Sequence, residues 1–139
     1  MKKATSALSL AMFAYAGSLS ATLPPLPTTG LDKFECFFET MVLVAELEYP
    51  LDSSGSKSYT SIQVSGNFPS EPAEEFVTGG GTPSIDVYIS ETGTTFTVER
   101  DLTAVMAGEA NPAIVRYSLQ HSGGHGLSPE FECRPTFVN

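Results

Sequence analysis

Basic residues are scarce in this 139-residue chain: seven Lys and Arg stand against sixteen Asp and Glu, a formal net charge of −9. Sequence-independent attraction to nucleic acid or to anionic membranes comes from clustered Lys and Arg, so neither is a general partner for this chain. Any RNA contact has to be local and weak. Cysteine is equally sparse, with Cys36 and Cys133 the two present. No Asn-x-Ser/Thr acceptor occurs, because Asn67 precedes Phe68-Pro69 and Asn111 precedes Pro112, so N-glycosylation is not expected. Internal repeats are missing as well. The run Gly79-Gly80-Gly81 lacks the Lys-Ser/Thr of a phosphate-binding loop and reads as a turn.

What is present begins with a leader. Lys2 and Lys3 precede an apolar run, Ala7 to Tyr15, too short to span a bilayer, and small residues follow. This is the pattern of a secretory signal over residues 1–21, with cleavage expected between Ala16 and Ala21. Residues 22–139 then form a single domain that opens on the Thr22-Leu23-Pro24-Pro25 linker. The leader holds two of the seven basic residues and no acidic one, so cleavage leaves a net charge of −11. In an oxidising compartment the two cysteines predict one disulfide, Cys36 to Cys133; two free thiols or a metal pair are the alternatives, and no further Cys lies at ligand spacing. Closing a loop of 97 positions stabilises by about 4 to 5 kcal/mol on the chain-entropy account.

Phe38, Met41, Val42, Ala45 and Tyr49 recur at three- and four-residue steps, which predicts a short helix from about Glu39 to Glu48, stopped by Pro50. The Val and Leu content keeps a strand open as the alternative. Beyond Ser53-Ser54-Gly55-Ser56 the period changes to two. Ile85, Val87 and Ile89 alternate with Asp86, Tyr88 and Ser90, and Phe96 and Val98 alternate with Thr95, Thr97 and Glu99. Glu91-Thr92-Gly93-Thr94 between them is a hairpin turn. Ile114 to Gln120 and the weaker Ser58 to Val64 add strands, and Arg100 to Pro112 is a long connection with room for a helical turn. One helix packed on a central antiparallel sheet, an α+β fold, is the expected architecture.

Three local patterns then resemble the small fungal guanyl-specific ribonucleases. They are His121-Ser122-Gly123 with Phe131-Glu132-Cys133, Gly80-Gly81-Thr82-Pro83-Ser84-Ile85-Asp86, and Gly55-Ser56-Lys57-Ser58-Tyr59. The resemblance implies a microbial-ribonuclease fold with a terminal disulfide. It also implies roles: Glu75 as the base at the 2′-hydroxyl, His121 as the acid for the leaving 5′-oxygen, and Tyr59 on the phosphate. Glu74 competes with Glu75 for the first of these. A second His and an Arg complete the family's site, and here Ser61 and Val87 occupy those positions. An isopropyl group cannot replace a guanidinium on a phosphate, so the site reads as vestigial.

A ribonuclease-like chain with a worn site and a leader is similar to the RNase-like candidate effectors of powdery mildew fungi, which share the aromatic-x-Cys of Phe34-Glu35-Cys36 and a late Cys like Cys133. That resemblance implies a secreted, monomeric, non-catalytic effector delivered to a plant cell. Its partner would be a host protein, with weak host RNA binding and detection by an immune receptor as further implications. No cofactor is implied. His121 with His125 makes a poor metal pair without carboxylate or Cys ligands nearby. An active guanyl-preferring endoribonuclease and an unrelated secreted β-rich surface protein are the alternatives.

Overall fold

The computed structural model describes residues 23–52, 57–66, 71–121 and 129–136. The expected leader lies outside these residues, as do His125 and Gly55-Ser56. Among the described residues eight strands follow one another: β1 (Thr29–Phe38), β2 (Met41–Pro50), β3 (Ser61–Ser65), β4 (Glu74–Thr82), β5 (Ile85–Ser90), β6 (Thr95–Arg100), β7 (Ile114–Gln120) and β8 (Glu130–Pro135). Among the described residues one short helix, α1 (Leu102–Met106), sits between β6 and β7. Each strand pairs antiparallel with the next, and β8 returns to β1, so the sheet closes into a barrel. Closure satisfies the backbone groups that an open sheet would leave at its edges.

The expected α+β fold is therefore corrected: the Glu39 to Glu48 segment forms the β1–β2 turn and most of strand β2 rather than a helix. In β2, Leu43, Ala45 and Leu47 are buried in an alternating row, while Val42 is exposed and Val44, Glu46 and Glu48 lie between. Because Val42 and Val44 make the outer face apolar too, the apolar set matched a 3.6-residue period by coincidence. Ten register pairs with β1 settle the choice, each strand completing the other's hydrogen bonding. Glu39, at φ 53°, turns the chain between them.

Paired residues of antiparallel strands present side chains to the same face, and register traces the interior. Phe34 faces Ala45, Ala45 faces Val64, Leu47 faces Ile62, Phe96 faces Leu119, and Leu119 faces Phe131. All are buried. Phe34 is the hub, its ring 5.1 Å from Phe96, 4.8 Å from Tyr117 and 6.4 Å from Tyr59. Cys36 lies directly opposite Cys133, their Cα atoms 4.0 Å apart, and the expected disulfide joins them inside the barrel.

The odd strands all start at one end of the barrel, and the expected hairpin turn between β5 and β6 lies at the other. In β5 the inward row is Asp86, Tyr88 and Ser90, with Tyr88 and Ser90 buried, whereas Ile85, Val87 and Ile89 line the outer wall. A register shift between Phe76 and Thr78 puts Gly79 opposite Tyr88 and Gly81 opposite Asp86. Two inward positions thus carry no side chain. Gly81, near the end of β4, has φ 134°, and a Cβ there would sit 1.8 Å from the Ile85 carbonyl oxygen.

Candidate functional site: a polar cup at one mouth of the barrel

Inward rows of the barrel end in charge at the mouth where the odd strands begin. Asp32 continues the row of Phe34 and Cys36, Asp86 that of Tyr88 and Ser90, and Arg100 that of Phe96 and Val98. Lys57 and Tyr59 enter from the β2–β3 connection, Tyr117 from β7, and Asn111 and Pro112 from the segment after α1. These residues enclose a cavity of about 530 Å3, open to solvent above the packed core. Asp101 caps α1 by accepting from the amides of Thr103 and Ala104 at 2.9 and 3.3 Å, which holds that connection against the rim.

Two ion pairs stand across the cup. The Lys57 ammonium donates to both oxygens of Asp32, at 3.2 and 3.1 Å, and lies 4.8 Å over the ring of Tyr49. Tyr59 donates its hydroxyl to Asp32 at 2.8 Å. Tyr49 in turn packs flat on Gly30, where any Cβ would fall 2.5 Å from the ring. On β5, Asp86 accepts from the Arg100 guanidinium at 2.6 Å. Strands β1 and β5 are four apart in either direction round an eight-stranded barrel, so the pairs face one another across its diameter.

Burial pushes the Tyr59 hydroxyl well above its ordinary range, and its bond to Asp32 and the charge there push the same way. Burial raises Tyr117 too, helped by Asp32 and opposed by Lys57 and Arg100. Tyr88 is raised by burial and by Asp86, against the Tyr59 amide and the Ser58 side chain, which hydrogen-bond it. Desolvation alone would lower Lys57, yet the bond to Asp32 and its charge outweigh that and leave it raised. Arg100 is raised by its bond to Asp86. At neutral pH the cup thus holds three protonated phenols and two cations beside two acidic side chains. This set can orient a small molecule by hydrogen bonds, ring contacts and charge.

The residues singled out by the ribonuclease resemblance are divided. Tyr59 is inside the cup. Glu75 pairs with Ser61 across the β3–β4 seam and borders, with Tyr59, Glu48 and Glu74, an outer groove of about 620 Å3. His121 follows β7 at the opposite end of the barrel, its Nδ1 3.2 Å from the Thr94 hydroxyl and its Nε2 3.4 Å from Glu71. Tyr59 and Glu75 share a groove, and His121 joins neither. Val87, at the position of the family's Arg, points to the outer wall. Among the described residues no three His, Cys, Asp or Glu side chains converge as a metal site.

Asp32, Lys57, Asp86, Tyr88, Arg100 and Tyr117 went unnoticed as site residues in the sequence. The signal that marks three of them is a period-two row ending in charge: Asp32-x-Phe34-x-Cys36, Asp86-x-Tyr88-x-Ser90 and Phe96-x-Val98-x-Arg100. Fold and site together define an eight-stranded antiparallel barrel with a polar, tyrosine-walled cup at one mouth. No family model matches the chain, and neither a curated protein nor a solved structure does.

Proposed function

We propose that this protein is an exported, non-catalytic binding barrel that takes a small molecule in the cup. The observation carrying this reading is that Asp32, Asp86 and Arg100 face inward at the mouth, where apolar side chains would close a purely structural barrel at lower cost. An eight-stranded barrel has an interior just wide enough to be filled by side chains or to hold one small ligand. Here Phe34, Phe96, Leu119 and Phe131 fill one half, and the other keeps about 530 Å3, the size of a small-molecule site. The disulfide supports export, since such bonds persist in oxidising compartments.

A secreted effector that engages a host protein is the second reading. The groove bordered by Glu48, Glu74 and Glu75 supports it, because three acidic side chains suit a basic partner surface. Ribonuclease chemistry draws no support from Tyr59 and His121, whose places at opposite ends cannot bracket one phosphodiester. The test is an NMR amide-shift screen of small molecules against the oxidised protein. Binders that perturb Asp32, Tyr88, Arg100 and Tyr117 together are expected. Silence of the cup toward every compound at millimolar concentration, or GpN cleavage abolished by His121→Ala, overturns the reading.

A further inference from the structure

We propose that the cup recognises an organic ammonium ion, and that Lys57 is a built-in occupant which a ligand displaces. The inference rests on the binding-barrel reading and names its ligand. Lys57 shows what the mouth holds: a primary ammonium bonded to both oxygens of Asp32 and set 4.8 Å over the Tyr49 ring. A carboxylate beside aromatic faces is the chemistry by which proteins bind alkylammonium groups. Tyr59 holds the carboxylate in place with its hydroxyl, and its ring meets Tyr49 edge-on at 6.2 Å, so the cage stands on core packing rather than on Lys57.

Lys57 itself is the movable part. It projects from the β2–β3 connection with half of its side chain exposed (52%), whereas the Asp32 side chain that it meets is 25% exposed. Exposed ion pairs and cation–π contacts of this kind are weak, so the arm can swing out and leave Asp32 open to the cavity, with the Tyr49 ring that Lys57 covered beside it. The volume far exceeds one ammonium head. A ligand therefore has a body lying over Tyr88, Val98 and Tyr117, with Arg100 and Asp86 across the mouth for its polar groups. The net charge of −9 draws cations and repels anions at long range.

Three probes that share a phenol body and differ in charge decide the matter by calorimetry: tyramine, 4-ethylphenol and 3-(4-hydroxyphenyl)propionate, with methyl glucoside as an uncharged polyol. Tyramine is expected to bind best, and several-fold more weakly when NaCl is raised from about 50 to about 500 mM. Lys57→Ala should tighten tyramine binding by about tenfold, because the resident competitor is gone. Adding Asp32→Asn to that variant, which keeps an acceptor for Tyr59, should reverse the gain. Should Lys57→Ala fail to fold, Lys57→Gln keeps the stem without the charge. Equal binding of 4-ethylphenol, or no tightening on loss of Lys57, overturns the proposal. If methyl glucoside binds at the cup and tyramine does not, the ammonium assignment falls and the binding barrel stands. If nothing binds wild type or variants, both fall.

Discussion

Removing the disulfide tests how the barrel is held shut. Cys36 and Cys133 lie directly across the β1–β8 seam, which has four register pairs, and the bond makes one loop of 97 positions. For a loop of that length the entropy removed from the unfolded chain amounts to about 4.7 kcal/mol at 25 °C, about 0.6 from the constant part and about 4.1 from the logarithm. A domain of about 115 residues unfolds with about 0.24 kcal/mol/K of entropy at its midpoint, so the double variant Cys36→Ala/Cys133→Ala should melt about 20 °C lower. With a urea slope of about 1.5 kcal/mol/M, its midpoint should fall by about 3 M. Both residues are replaced together, since either thiol alone would be free to form dimers. Far-UV circular dichroism of the oxidised wild type and the variant, by heat and by urea, measures the change. A fall of less than about 5 °C would refute the reasoning, because it would mean that β1 and β8 are held together as well without the bond.

Phe34→Ala, at the hub of three other aromatic rings, should cost about 3 to 5 kcal/mol in urea unfolding, more than any equivalent change on the outer wall. Tyr59, Tyr88 and Tyr117 have hydroxyls raised above 10.0, so their contribution to stability is complete below that pH. It is lost as pH rises and the unfolded chain ionises first; spectrophotometric titration should show phenols that resist ionisation until the protein unfolds in alkali. The β3–β4 seam has two register pairs where β1–β2 has ten, so the Ile62 and Phe76 amides should exchange hydrogen faster than those of Leu43 and Ala45. Gly81→Ala meets the Ile85 carbonyl at φ 134° and should destabilise by about 1 to 3 kcal/mol, read from the melting temperature.

Strand alternation was legible where one face is apolar and the other polar. Phe96 and Val98 against Thr95, Thr97 and Glu99 fixed β6, Ile114 to Gln120 marks β7 to the residue, and Glu91 to Thr94 is the turn between β5 and β6. The helical turn expected between Arg100 and Pro112 is α1. Legibility failed in β2, where Val42 and Val44 make both faces apolar and the period becomes ambiguous. It failed also in β5: Ile85, Val87 and Ile89 look like the core row, yet Asp86, Tyr88 and Ser90 face in. A polar row points inward only because the cavity and Arg100 await it, and both are supplied by residues distant in sequence.

Local patterns that resemble a ribonuclease specify neither strand order nor the end of the barrel at which a residue lies. Tyr59 and His121 are each placed by their own strand, and register separates them by the barrel's length. The cup residues were hidden for the complementary reason: Asp32, Lys57, Asp86 and Arg100 are ordinary surface charges in sequence, and only closure puts them face to face.

Composition and cysteine count by themselves determined the acidic charge, the single disulfide and its partners, because those depend on which residues exist and how many. The polarity of alternate positions determined most strands. Tertiary structure decided that the sheet closes, that β2 is a strand, and that two ion pairs and three tyrosines share one cavity. The reason is that register between strands, a cooperative property of long-range pairing, assigns every side chain to the inside or outside, and a row of residues does not carry that assignment on its own.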